Sequence, residues 1–258
     1  MSEDRTSIRI AIAGAAGRMG QALVKFTVTG GSERAGAPGL GQDQGGWSLS
    51  DSASRAAQTA DAWIDFTTPQ ASLEALEQLK LTKVKAAIIG TTGLSPHQEQ
   101  QVAEHARRIA IVRDRNFSLG VNLMIGLVEQ VAARLGEGWD IEITEGHHRR
   151  KVDAPSGTAL MIGEAAARAR GAPLADLRTP PYDGQTGPRT EGAIGFSVIR
   201  GGGIIGDHDA AFISDEEIVA ITHRALDRAI FAKGALAAAK WAVTQKPGLY
   251  SMRDVLGL

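Results

Sequence analysis

The chain contains no cysteine, which excludes thiol nucleophiles, thiolate zinc sites and disulfides together. Neither sign of charge is in excess: 28 Lys and Arg stand against 29 Asp and Glu, a formal net charge of −1. That balance supplies no basic field for nucleic acid and no polybasic membrane anchor, so a small molecule is the expected partner. Long hydrophobic runs are missing as well. The longest stretch free of Asp, Glu, Lys and Arg is 13 residues, as from Asn116 to Val128, short of the roughly 18 that a membrane span needs. The start, Met1-Ser-Glu-Asp-Arg-Thr-Ser7, is polar and carries acids, and the apolar run behind it enters a glycine-rich loop instead of a cleavage site. A cytoplasmic protein is expected.

Glycine, by contrast, is abundant, at 31 of 258 residues, above the average of about 7% and a sign of many tight backbone turns. The length suggests one large or two modest domains. Such a chain buries roughly 70% or more of its unfolded surface, enough for a core without a disulfide or metal.

Ile8-Arg-Ile-Ala-Ile-Ala13 is a β-branched run of strand length, closed by Gly14-Ala-Ala-Gly17-Arg-Met-Gly20. Gln21 to Thr29 then reads as a helix ending at Gly30-Gly31. Strand signals recur at Ala62 to Thr67, Lys85 to Gly90 and Ile109 to Val112. Between them, Leu73, Leu76 and Leu79 mark a buried helical stripe, and Ser95-Pro-His-Gln98 reads as a capping box with Pro at the first helical position. Strands alternating with helices predict an α/β domain with a parallel sheet covered on both faces. Past residue 117 the pattern changes. A helix over about Val121 to Leu135 precedes Asp140-Ile-Glu-Ile-Thr-Glu145, which alternates in period two, and strand candidates follow at Ala193 to Arg200, Ile204 to Ile213 and Glu216 to Thr222. These predict a second, α+β domain with a mostly antiparallel open sheet. Gly171 to Gly192 reads as a long loop, and about Ala225 to Thr244 as an Ala-rich helix able to return to the first domain.

Gly14-x-x-Gly17-x-x-Gly20, directly after the first strand, stands where a dinucleotide fold places its phosphate loop: without Cβ atoms the pyrophosphate can reach backbone amides at a helix N-terminus. Its spacing also suits a plain helix-packing turn. The ribose determinant, an acid at the end of the second strand or a nearby Arg, is not found cleanly. Arg34 to Gly41 is a feeble strand with no carboxylate at its end, and Asp43 and Arg34 are only neighbours. The choice between NADH and NADPH stays open.

The segment Glu145-Gly-His147-His148-Arg149-Arg150-Lys151-Val-Asp153-Ala-Pro155-Ser156-Gly157-Thr158-Ala159 places five basic side chains in a row before a helix start. Read alone, the run suits a solvated basic loop. Followed by Pro-Ser-Gly-Thr, it suits a clamp for a substrate bearing carboxylates, cations on one side and helix amides on the other. A metal site is disfavoured, because adjacent residues on extended backbone point to opposite faces and no H-E-x-x-H spacing accompanies the two histidines. Ser156 lacks the G-x-S-x-G elbow of a hydrolase nucleophile and suits helix capping. Either histidine can donate a proton near neutral pH; spacing does not say which faces the reacting atom.

Together, Ala11 to Gly20, Ile64-Asp-Phe-Thr67, Gly90-Thr-Thr-Gly93, Asn116-Phe-Ser118 with Gly120-Val-Asn122, the Glu145 to Ala159 block, Arg200-x-Gly-x-x-x-Gly206-x-His208 and Met252-Arg-Asp-Val-Leu256 resemble the 4-hydroxy-tetrahydrodipicolinate reductases (dihydrodipicolinate reductases) of bacterial lysine and diaminopimelate biosynthesis. The resemblance covers essentially the whole chain, and the Glu145 to Ala159 block is its specific signature. It implies a Rossmann-like dinucleotide-binding domain at residues 1–117 and 228–258, and a substrate-binding and oligomerisation domain at 118–227. It also implies NADH or NADPH as cofactor, a homotetramer joined through the second-domain sheets, and closure of the domains around ligands.

By position, the resemblance implies that Gly14, Gly17, Arg18 and Met19 line the dinucleotide phosphates. Gly90, Thr91, Thr92, Asn116 and Phe117 would flank the nicotinamide, with Arg228 and Phe231 on the cofactor side. His147 would be the proton donor with Lys151 its partner, and His148, Lys151, Gly157 and Thr158 would hold the substrate carboxylates. Two departures are expected, both at the adenosine-ribose end: Leu40-Gly41-Gln42 where many members carry an acid and often an Arg, and Thr68 where many carry Arg. The rival readings are a reductase of another cyclic imine or dicarboxylate, and a catalytically silent dinucleotide sensor.

Overall fold

The computed structural model describes residues 8–258 apart from Thr27, Asp43 and Gly45; Asp43, one of the two ribose neighbours considered above, thus lies outside the described residues. Two compact units form: the chain up to Ser118 with Phe231–Gly257, and Leu119–Ile230 with Leu258. The first begins with β1 (Ile10–Ala13), α1 (Arg18–Leu23), β2 (Gly30–Ser32), β3 (Leu49–Ser50), α2 (Ala53–Ala56), β4 (Ala62–Asp65), α3 (Pro69–Leu79), β5 (Ala86–Ile89), α4 (Pro96–His105) and β6 (Ala110–Arg113). The second follows with α5 (Leu119–Leu135), β7 (Asp140–His147), α6 (Gly157–Ala169), α7 (Leu174–Leu177), β8 (Ile194–Arg200), β9 (Asp207–Ile213) and β10 (Ile218–Arg224). The chain then runs through α8 (Ala229–Ala242), β11 (Gly248–Tyr250) and α9 (Met252–Leu256).

The first unit is a seven-stranded sheet in the order β11-β6-β5-β4-β1-β2-β3, parallel throughout. Its central strands are short apolar runs buried on both faces, as a parallel sheet requires. Alternation divides each strand between two cores. Ile10, Ile12, Ile64 and Ile88 pack with the alanines of α8, and Ala11, Trp63, Ala87 and Ile89 with Leu76, Leu79 and Val102 of α3 and α4. The capping box expected at Ser95 and Gln98 is present.

Two expectations fail here, and for one reason. The first helix ends at Leu23, and Gly30-Gly31, read as a helix stop, opens β2 instead. A Cβ on Gly30 would strike the Ala56 backbone, and one on Gly31 would meet Trp47 and the Ala15 Cβ at 3.0 Å. These glycines mark close approach in a strand. Arg34 to Gly41 is therefore not the second strand, and the residues that follow the true one are Glu33 and Arg34.

The second unit is a four-stranded sheet in the order β10-β9-β7-β8. β9 runs antiparallel to both neighbours, and β7 and β8 are parallel because the connection between them passes through α6. The sheet is mixed but mostly antiparallel. Ile141, Ile143, Ala210 and Phe212 pack one face onto Ile125 and Val128 of α5 and Ile162 and Ala166 of α6. The long loop expected from Gly171 carries the single turn of α7 and is pinned by Arg170, which donates to the Gly192 carbonyl at 2.6 Å.

Candidate functional site

In the first unit the strand order reverses between β1, which continues to β2, and β4. The crevice at the carboxyl ends of such strands is where open parallel sheets take ligands. Gly14 ends β1 with φ +61°, and a Cβ there would lie 2.9 Å from Thr67 Cγ2 across the crevice. The Gly17 N–H donates to the Gly14 carbonyl at 2.9 Å, and Gly17 is the N-cap of α1 with no side chain capping it. A Cβ on Gly20 would fall on the Gly14 carbonyl oxygen. Gly14, Gly17, Arg18 and Met19 line one cavity of about 170 Å³ with Phe66. Backbone amides at a bare helix start, beside glycines whose missing side chains keep the turn tight, fit a pyrophosphate.

A second cavity, of about 560 Å³, shares Gly14 and Thr67 and adds Ser32, Glu33, Arg34 and Thr68. Glu33 accepts the Ala16 N–H at 3.2 Å and the Arg34 N–H at 3.1 Å. An acid and an Arg therefore do follow the second strand, correcting the expectation that Leu40-Gly41-Gln42 had replaced them. Thr68 serves as N-cap of α3, accepting the Ala71 N–H.

Beneath the crevice Asp65 is wholly buried. One carboxylate oxygen accepts the Thr67 N–H at 2.9 Å, the Thr67 hydroxyl at 2.6 Å and the Thr91 hydroxyl at 3.3 Å. Burial pushes this carboxyl above its usual range against those hydrogen bonds. It ties the turn after β4 to the turn after β5, which carries Gly90, Thr91 and Thr92. Thr91 is buried against Ser72 and Thr92 is exposed. A Cβ on Gly90 would enter the Phe66 ring, which stands edge-on to Phe117 at 5.3 Å. The Phe117 side chain is 1% exposed in the core, so this residue offers a ligand only its backbone. Asn116 accepts the Ser118 N–H at 2.8 Å. Arg228 is exposed and lies in the second unit, and Phe231 belongs to the first.

In the second unit the basic block folds around one carboxylate. Glu145 and His147, two apart on β7, face the same way, and His147 Nδ1 lies 2.6 Å from Glu145 Oε2. Arg200, at the end of β8, donates to both Glu145 oxygens at 2.7 and 2.8 Å. Ser156 donates its N–H to Oε1 at 3.0 Å, and its hydroxyl caps α6 by accepting the Ala159 N–H at 3.2 Å. Glu145 thereby brings His147 to the helix start at Gly157 and Thr158. Ser156 Oγ is also 3.2 Å from His208 Nε2, and the His208 ring stands edge-on to His147 at 5.3 Å.

Burial pushes His147 below the usual histidine range. Glu145 opposes that shift, and Lys151 and Arg200 add to it. His208, more deeply buried, is pushed down to about 4. Lys151 Nζ is held by Asp153 at 2.8 Å, and the buried His148 Nδ1 has no hydrogen-bond partner. Spacing alone marked the histidines and the helix start. The sequence reading missed Arg200 as a partner of Glu145, since β8 and β7 become neighbours only through the crossover.

No helix among the described residues is long and apolar enough to cross a membrane, and no cluster of His, Asp and Glu among them is arranged to hold a metal. A family model described as dihydrodipicolinate reductase, N-terminus, matches residues 8–117, and one described as dihydrodipicolinate reductase, C-terminus, matches residues 120–256. A 4-hydroxy-tetrahydrodipicolinate reductase of Sinorhizobium medicae is 46% identical, with 100% of both chains covered. One of Caulobacter vibrioides is 49% identical, with 97% of each covered. A solved dihydrodipicolinate reductase from Paenisporosarcina sp. TG-14, described as dipicolinate-bound, shares the fold. Its TM-score is 0.77 at 24% identity, over 95% of this chain and 97% of that one.

Proposed function

The chain belongs to the dihydrodipicolinate reductase family, and from that we propose how its residues divide the work of NAD(P)H-dependent reduction of 4-hydroxy-tetrahydrodipicolinate to tetrahydrodipicolinate, with loss of water, in lysine and diaminopimelate biosynthesis. The dinucleotide, when bound, supplies the hydride. Gly14, Gly17, Arg18 and Met19 hold its phosphates. Gly90, Thr91, Thr92, Asn116 and Phe117, with Arg228 and Phe231, serve its nicotinamide side. His147 gives a proton to the ring carbon beside the one reduced. Lys151 and the α6 N-terminus stabilise negative charge that develops on the ring, and His148, Lys151, Gly157 and Thr158 hold the two carboxylates.

The observation that carries this assignment is the folding of His147 and the α6 start around Glu145. In the same reading residues 1–117 and 228–258 bind the dinucleotide and 118–227 the substrate. The protein works in the cytoplasm as a homotetramer. Ile199 and Ile218, exposed on the sheet of the second unit, favour association there.

The test is loss of NADH or NADPH absorbance with substrate formed in place from pyruvate and aspartate semialdehyde by the preceding synthase. Turnover that requires the synthase supports the assignment. Cofactor binding without turnover would turn the reading to a dinucleotide sensor. In the same assay Lys151→Ala lowers kcat, while Thr158→Ala mainly raises substrate KM, by roughly fivefold for one lost hydrogen bond; the reverse pattern would exchange their roles.

Cofactor choice rests on the corrected end of β2. Glu33 is placed to accept ribose hydroxyls and Arg34 to hold a 2′-phosphate. Arg34→Ala is expected to raise KM for NADPH roughly tenfold or more, the value of a charge-assisted bond, and to spare NADH. Glu33→Ala is expected to weaken NADH selectively. Equal losses for both cofactors in each variant would remove this pair from the ribose site.

A further inference from the structure

Glu145 is 0% exposed, and a carboxylate so far from water persists only if its oxygens are satisfied. Here each oxygen meets two nitrogens: Oε1 takes Arg200 Nη2 and the Ser156 N–H, and Oε2 takes Arg200 Nη1 and His147 Nδ1. Three of these partners can only donate. Burial alone would raise the Glu145 carboxyl, but Arg200, His147 and Ser156 together hold it below its usual range. An ionised carboxylate can only accept. The fourth partner, His147 Nδ1, must therefore carry a hydrogen, which leaves Nε2 as the nitrogen that gains and loses a proton. Space beside it depends on Gly206, where a Cβ would lie 3.2 Å from Nε2.

We propose that Glu145 and Arg200 are positioning residues for the reaction: Arg200 keeps Glu145 ionised, Glu145 keeps His147 in its Nδ1–H form, and the proton passes to substrate from Nε2 alone. This rests on His147 being the proton donor. In the step, imidazolium His147 loses the Nε2 proton and becomes the neutral Nδ1–H ring, still bound to Glu145, and solvent restores the Nε2 proton afterwards. A purely structural role is the competing account, since Arg200 also donates to the Asp153 carbonyl at 2.7 Å and so links β8 to the loop before α6.

Glu145→Gln separates the two. An amide in this place must turn its NH2 toward one of the two oxygen positions. Toward Oε1 it would confront the Ser156 N–H and Arg200. Toward Oε2 it confronts Arg200 but can donate to His147 Nδ1. The second arrangement is the better one, and it reverses the tautomer. The remaining charged and titratable groups around His147 are Lys151 in the following loop, Arg200 on β8, and His208 with its neighbour Asp207 on β9. With Glu145, the carboxylate that raises it, neutralised, the lowering of His147 by burial, Lys151 and Arg200 is no longer offset by that charge and its pKa falls. A proton donor works in its protonated form, so its rate falls as pH rises through that pKa. The basic limb of the kcat profile must then move to lower pH.

The experiment is nitrogen NMR of protein labelled with 15N-histidine, with His147 identified by its absence from His147→Gln, alongside kcat profiles. In the wild type, neutral His147 is expected as the Nδ1–H form, and in Glu145→Gln as the Nε2–H form. The variant's kcat falls roughly 10²- to 10⁴-fold at pH 8, the range of a lost general acid with the wrong-tautomer cost at its upper end, and partly recovers as pH is lowered. Arg200→Lys, which keeps the charge but not the two-pronged contact, falls between. A wild-type His147 in the Nε2–H form overturns the proposal, as does Glu145→Gln with unchanged tautomer and pH profile. Should both variants fail to fold, the wild-type tautomer alone decides. Because that signal needs no turnover, it also separates failure of this inference from failure of the reductase assignment.

Discussion

His147→Gln is expected to lower kcat by roughly 10²-fold or more with little change in KM, the signature of one lost general acid. Glutamine suits the test because its amide can still bond to Glu145 and fill most of the space the ring occupied. The loop after β7 and the start of α6 therefore keep their place. The groups proposed to hold the carboxylates, His148, Lys151, Gly157 and Thr158, are untouched, so ground-state binding is expected to persist while the transferable proton is gone. Steady-state kinetics with both cofactors, at saturating substrate, make the check. Near-normal kcat would move the proton to another donor, with Lys151 the first to examine.

Gly20→Ala is expected to destabilise the first unit by about 1–3 kcal/mol or more and to weaken NAD(P)H binding at least tenfold. Alanine improves an isolated helix by roughly 1 kcal/mol over glycine, so propensity alone predicts the opposite sign. Packing decides. The new Cβ would sit on the Gly14 carbonyl oxygen and 2.6 Å from Ala15 Cα; these are backbone atoms that no rotamer change can move aside. The turn must open, and its opening misplaces the α1 amides. Thermal unfolding and titration of nicotinamide fluorescence read the two effects separately. Unchanged cofactor affinity in a destabilised variant would show that this turn does not grip the pyrophosphate.

Where side-chain chemistry and local spacing act together, the sequence was legible. The apolar runs at Ile10, Ala62 and Ala86, the Ser95 capping box and the Ser156 cap each need only neighbours within one turn or one strand. Gly30-Gly31 was misread because a glycine required by a distant backbone looks the same as one that ends a helix. Its true reason lies at Ala56 and Trp47. That single error displaced the second strand, hid Glu33 at its end and left Arg34 as only a neighbour. β3 and β11 escaped notice because, at two and three residues, they owe their form to the edge they join. The Glu145–Arg200 pairing stayed hidden for a related reason: 55 residues separate the partners, and only the crossover through α6 aligns their strands.

The placement of α8 and β11 bears on how the protein is made. The residues that finish the first sheet leave the ribosome only after the whole of Leu119–Ile230 has been synthesised. At bacterial and eukaryotic elongation speeds that is a wait of roughly 5 to 20 s. During it Ile10, Ile12, Ile64 and Ile88 lack the alanines of α8 that cover them, and β6 lacks its outer neighbour. The inserted unit, with its own core, can mature first, while the first unit keeps an apolar face uncovered until its last segment emerges.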